Sequence, residues 1–240
     1  MINIRFLMSA SLLFFTTSAN ATLMFSEYVE GSSYNKALEL FNVGDEVNFD
    51  TDSYAVEIYS NGASSASYSI SLTGVVAQDS PFIVGHSRSS DTILSIANQV
   101  SGSLNFNGDD AITLVRNDVI IDSIGQVGVD PGTEWGAVLT STQNHTLRRL
   151  PDILFGDNNA FDSFEPALQW TGFAQDSFDG LGQHQINLSS NEAEPVTSVP
   201  EPSSLWLLLL GMLGFYKSGR SGLFTQNFFL KQFKSLPMNL

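Results

Sequence analysis

Short runs in which apolar positions alternate with their neighbours dominate the middle of the chain. Leu38 and Leu40 alternate with Glu39, and Val56 and Ile58 with Glu57 and Tyr59. Tyr68, Ile70 and Leu72 alternate with Ser67, Ser69, Ser71 and Thr73; Ile112 and Leu114 alternate with Thr113 and Val115. A period of two sends successive side chains to opposite faces, so these runs predict antiparallel strands with one buried side. Gly, Asn, Asp or Ser bounds each run, as in Asn61-Gly62 and Gly108-Asp109, the residues that tight turns need. Val119 to Ile124 follows Ile112 to Val115 across Arg116-Asn117-Asp118, which predicts a β-hairpin. No heptad and no sustained 3.6-residue stripe interrupts this pattern. Seven or so short strands predict an all-β fold, a β-sandwich. Residues 144–184 read as loop-rich, with Phe155, Phe161, Phe164, Trp170, Phe173 and Phe178 capping the edges of the sheets. Trp135 and Trp170 are expected in the core, where their large area is best buried.

The two ends break the alternation. Arg5 precedes an apolar stretch, Phe6 to Phe15, and the small-residue step Ala19-Asn20-Ala21 follows it. That order predicts a secretory signal peptide over 1–21, cut after Ala21. Residues 189–199 turn polar, with Glu192, Glu194 and Pro195, and read as a linker. Next come Val199-Pro200-Glu201-Pro202-Ser203-Ser204, the apolar run Leu205 to Tyr216, and the basic residues Lys217 and Arg220. The run is shorter than the roughly 20 residues of a bilayer span, and the basic pair behind it favours a cytoplasmic C-terminal side. It predicts a hydrophobic helix making transient inner-membrane contact through 205–216. The expected organisation is therefore 1–21, a domain over 22–188, a linker over 189–199, a sorting segment over 200–220 and a tail over 221–240.

Charge narrows the partners. The net charge is −15, and 24 of the 25 acidic residues lie between 22 and 199, against five bases there, Lys36, Arg88, Arg116, Arg148 and Arg149. Such a surface repels phosphate backbones and anionic lipid heads, so no nucleic acid partner is expected. The chain has no cysteine. An exported domain without disulfides has to be stabilised by an ordinary core.

Candidate chemistry is sparse. His86, His145 and His184 are far apart in sequence, and no G-x-S-x-G turn presents a serine nucleophile. The expectation is a protein that is not an enzyme. Calcium, with its preference for six to eight oxygens, is the cofactor that two clusters would suit: Asn107 with Asp109 and Asp110, and Asp157, Asn158 and Asn159 with Asp162. Each cluster reads equally as a polar turn. Glu27 or Glu30 is placed to pair with Lys36 across two strands, an exposed pair of little energetic weight.

Val199, Pro200, Glu201 and Pro202, with the leucine-rich run and Lys217 and Arg220 behind them, resemble the PEP-CTERM sorting signal. The resemblance implies a Gram-negative bacterium that often makes exopolysaccharide, and processing by an exosortase-type enzyme. The tail from Ser221 to Leu240 runs longer than that family's usual ending. The middle domain resembles the bacterial extracellular lamin tail domain, an immunoglobulin-like β-sandwich. Residues 25–42 carry most of that likeness, joined by 54–62, 107–111, 122–136, 144–149 and 170–173. Together these readings imply a non-enzymatic, exported module of the cell envelope or extracellular matrix that interacts with exopolysaccharide or a surface protein. Two alternatives stand beside it: a calcium-dependent carbohydrate-binding module, and an accessory to a separately encoded secreted nuclease or phosphatase, enzymes to which lamin tail domains are often attached.

Overall fold

The computed structural model describes residues 23–187. The expected signal peptide, the linker, the sorting helix and the C-terminal tail lie outside the described residues. The strands run, in chain order, β1 (Leu23–Glu30), β2 (Lys36–Asn42), β3 (Val47–Asn48), β4 (Tyr54–Tyr59), β5 (Tyr68–Ser71), β6 (Val75–Val76) and β7 (Ser80–His86). A single-turn helix, α1 (Asp91–Leu94), leads to β8 (Gln99–Ser101), β9 (Ala111–Arg116) and β10 (Val119–Ile124). The last are β11 (Gly136–Ala137), β12 (Thr140–Ser141), β13 (Thr146–Arg149) and β14 (Trp170–Phe173). The fold is all-β, as the alternation predicts.

Two sheets carry the architecture, one of six strands in the order β14-β13-β1-β2-β7-β8 and one of four in the order β10-β9-β4-β5. Every described pairing in them is antiparallel except β7 with β8. The predicted hairpin is β9–β10, with Val119 opposite Arg116. Its two-residue turn holds Asn117 and Asp118 at φ of 50° and 64°, the left-handed region that Asn and Asp tolerate and a primed hairpin turn requires. One hydrophobic cluster takes side chains from both sheets: Phe25, Tyr28, Leu38 and Leu40 from the six-stranded sheet, and Val56, Ile58, Ile112 and Leu114 from the four-stranded one. Trp170 belongs to the same cluster and Trp135 to a smaller one with Tyr59 and Val127.

Three expectations need correction. Strands β1 and β2 are buried along their whole length rather than on one face. Their second face is covered by a further cluster in which Val29, Ala37 and Ile83 meet Ile93 of α1 and Leu181, with Phe178 packed against it. Residues 144–184 are not merely edge-capping loops. They contribute β13, which pairs directly with β1, and β14 beyond it. The strand Thr146-Leu147-Arg148-Arg149 carries too little apolar alternation to announce itself. Phe155 and Phe161 point to solvent, whereas Phe164 packs against the core. Finally, Glu30 does sit opposite Lys36, with Nζ 3.1 Å from Oε1, but both residues are buried, so the pair is internal.

Two β-bulges set where charged groups enter the interior. One falls between Phe25 and Glu27 in β1, the other between Ile120 and Asp122 in β10. Each inserts an extra residue that re-aims the side chains after it. Without the first, Glu27 would not face Glu39; the second accompanies the inward turn of Asp122.

Candidate functional site

The most constrained polar centre is built on Asp122 and Arg149, both side chains fully buried. Arg149 Nη2 donates to both carboxylate oxygens of Asp122, at 2.9 and 2.8 Å. The same carboxylate accepts from the backbone N–H of Phe25 at 2.7 Å, of Ser123 at 2.9 Å and of Asp157 at 2.7 Å. Arg149 Nη1 donates to the Phe155 carbonyl and to Gln169, and its guanidinium carbon lies 4.5 Å from the centre of the Trp170 ring. Burial pushes the Asp122 carboxyl up, and Arg149 with the N–H groups of Phe25 and Asp157 pulls it back. This constellation joins β1, β10, β13 and the loop at 155–157. It is a brace: the Asp122 carboxylate and both terminal nitrogens of Arg149 are engaged internally, while Arg149 Nε and the Trp170 indole N–H are buried without a hydrogen-bond partner.

A second polar centre lies on the other face of the six-stranded sheet. Glu27 and Glu39 are directly opposite in the β1–β2 register, 2% and 0% exposed. Ser26, the residue set out by the bulge, donates its hydroxyl to Glu39 at 2.6 Å, and the Gly182 N–H donates to the same carboxylate. Arg148 Nε lies 3.3 Å from Glu27. Burial raises the Glu27 carboxyl to about 8 despite Arg148, with the Glu39 charge adding to the rise. Burial raises Glu39 as well, against its bonds from Ser26 and Gly182.

The calcium-candidate residues lie in two separate places. In the first, Asn107-Gly108-Asp109-Asp110 forms the turn entering β9, closed by the Asp110 N–H on the Asn107 carbonyl at 3.2 Å. Asp110 accepts from the backbone N–H of Asn61 at 2.9 Å and of Asn107 at 3.0 Å, so both its oxygens tie loops together. Burial raises its pKa against those two bonds. Asp109 is also buried, and its Oδ1 has no hydrogen-bond partner within the protein. In the second, Asp157 Oδ1 accepts from the Asn159 N–H at 3.1 Å, while Asn158 and Asp162 are exposed. Among the described residues no three His, Cys, Asp or Glu side chains are grouped so as to hold a metal ion. The polar-turn reading accounts for most of these contacts; the bare Asp109 oxygen is the exception.

The histidines are placed separately. His184 packs edge-on to Phe41 with ring centres 4.9 Å apart, and burial lowers its pKa to about 4. His86 stacks on Tyr34 at 4.8 Å and accepts the Arg88 N–H. His145 Nδ1 is 2.8 Å from the Ser141 hydroxyl, a pairing that sequence spacing did not reveal. Ser141 has no exposed surface, so this hydroxyl cannot meet a substrate without rearrangement. A shallow groove of about 300 Å³ runs beside β10, lined by Leu23, Arg116, Ile121, Phe155 and Asn158. None of the paired carboxylates or histidines opens into it.

Among the described residues no helix is long and apolar enough to cross a membrane. No curated protein and no solved structure matches the chain. Residues 198–221 match the PEP-CTERM protein-sorting motif, a span that includes Val199, Pro200, Glu201, Pro202, Lys217 and Arg220. The chain is thereby marked as a bacterial protein exported to the cell envelope or beyond and handed to an exosortase.

Proposed function

We propose that this protein is a non-enzymatic module of the cell surface or extracellular matrix of a Gram-negative bacterium, delivered by its sorting segment. The observation that carries the reading is the sorting motif at 198–221, set behind a domain whose buried charges brace strands rather than face a cleft. In the same reading, residues 23–187 form an immunoglobulin-like β-sandwich of the lamin tail type. Its support is the shared core of the two sheets and the position of the resemblance: residues 25–42 supply β1 and β2, at the centre of the larger sheet. The partner is exopolysaccharide or a surface protein. An acidic module of this kind reaches neutral polymers or basic protein patches more readily than anionic lipid.

The test is a binding screen of the exported protein against the polysaccharide and surface proteins of the producing cell. Retention on one of them supports the module, whereas turnover of a phosphoester or glycan substrate would replace it with an enzyme. A calcium-dependent carbohydrate binder is the second reading, favoured by the buried Asp109 oxygen that lacks a partner. Repeating the screen with calcium and with chelator separates the two.

A further inference from the structure

Residues 174–187 lie over the acidic face of β1 and β2 with little structure of their own. The segment contains no strand and closes on itself only through turn bonds, such as Ser177 to Ala174 and Leu181 to Phe178. It is held by what lies beneath it. Leu181 enters the apolar cluster of Val29, Ala37 and Ile83, and Phe178 packs against that cluster. The Gly182 N–H donates to Glu39. Asp179 accepts from Arg148 at 2.6 Å, and the same guanidinium lies against Glu27. A Cβ at Gly180 would overlap both Arg148 and the Glu27 carboxylate, so a larger residue there has to displace that ion pair. At the leading end, Asp176 accepts from the Ser32 N–H at 2.8 Å; at the trailing end, the Asn187 N–H donates to the Pro151 carbonyl at 2.9 Å.

The charges beneath the segment do not balance. Glu27 from β1, Glu39 from β2 and Asp179 from the segment itself share one cation, Arg148 of β13. Two of these carboxyls are opposite each other in a cross-strand pair and buried, the arrangement in which like charges oppose pairing and one proton is retained. Glu27 Oε1 faces Arg148 Nε at 3.3 Å but has no well-aligned hydrogen bond, so that single, shared guanidinium is the counter-charge Glu27 has against its burial.

We propose that residues 174–187 form a pH-sensitive strap, closed while the Glu27–Glu39 pair carries a proton and released from the sheet once both carboxyls ionise. Release removes the Gly182 bond and Leu181 from the face and uncovers the part of the Val29, Ala37 and Ile83 cluster that Ile93 of α1 does not cover. In sequence the strap runs on toward the sorting motif, so its release adds up to roughly 45 Å of extensible chain between domain and motif. Because burial raises the Glu27 carboxyl to about 8, the closed strap loses stability as the pH rises from the ordinary carboxylate range toward that value.

Hydrogen exchange of the full-length exported protein, measured at pH 6 and pH 9 and corrected for intrinsic rates, tests the strap. Amides of residues 177–183 are expected to lose at least tenfold in protection at pH 9, while those of β4 and β9 keep theirs. Glu27→Gln removes one ionisable partner and should leave the strap equally protected at both pH values; Glu39→Gln, read in the same way, serves if the first variant does not fold. Equal strap protection in the wild type at both pH values overturns the proposal. So does a loss shared with β4 and β9, which is global unfolding, or a variant that still opens at pH 9.

Discussion

Replacing Arg149 by Met isolates the brace at the centre of the fold. The variant leaves the Asp122 carboxylate fully buried, with three backbone N–H donors and no counter-ion. Breaking a buried pair by removing one partner costs about 3–5 kcal/mol, a large part of the 5–15 kcal/mol that typically stabilises a domain. Met fills part of the volume beside Trp170, so the lower end, about 3 kcal/mol, is the expected loss. Asp122→Asn on the same background keeps one oxygen for the N–H of Phe25 or Asp157 and removes the orphaned charge. The double variant should therefore recover about 1–2 kcal/mol relative to the Arg149 variant alone, a coupling that independent sites do not show. The assay is guanidinium denaturation followed by far-ultraviolet circular dichroism, with the slope checked for constancy. A loss below about 1 kcal/mol for the single variant, or strict additivity in the double, would show that Asp122 and Arg149 do not act as a buried unit.

Three further outcomes follow from particular contacts. Leu114→Ala, at a fully buried position shared by the two sheets, should cost about 2–5 kcal/mol in denaturation; a neutral result would mean the two sheets do not share that core. His184 has its pKa lowered to about 4 from 6.5 by burial. Between those values the unfolded chain takes up a proton that the folded ring refuses, so folded stability should fall as the pH drops from 6.5 to 4. Allowing for solvent screening at this partly buried ring, the loss is about 2 kcal/mol; His184→Gln should remove that part of the pH dependence of thermal unfolding. Calcium at millimolar concentration should raise the melting temperature if the Asp109 oxygen completes a cation site, and Asp109→Asn should abolish the rise. An unchanged melting temperature in the wild type removes the calcium-dependent reading.

How far the fold was legible depended on how local its determinants are. The β9–β10 hairpin was readable because alternation and its Asn117-Asp118 turn sit within a dozen residues. Trp135 and Trp170 were assigned to the core on size alone, and both are buried. Strand β13 is masked by Arg148 and Arg149, two adjacent charges in a strand that lies next to β1. Both arginines belong in the sheet only because Asp122 and Glu27 await them, at separations of 27 residues and more. The pairing of Glu27 with Glu39 depends on the bulge at Ser26, and no periodicity announces a one-residue slip of register. Alternation misled at β1 and β2 for a related reason. Glu39 and Glu27 look solvent-facing, yet the segment at 174–187 and Arg148 cover them, while Lys36, in phase with Leu38 and Leu40, is held inside by Glu30. The sorting motif, in contrast, is written in one contiguous stretch and was legible in full.

The central claim, an exported domain released to its destination by processing at the sorting segment, is tested most directly by the intact mass of the native product from fractionated cells. The account predicts an envelope or extracellular species that begins at Thr22 and ends before Leu205. A product in the inner membrane that still ends at Leu240 would contradict it.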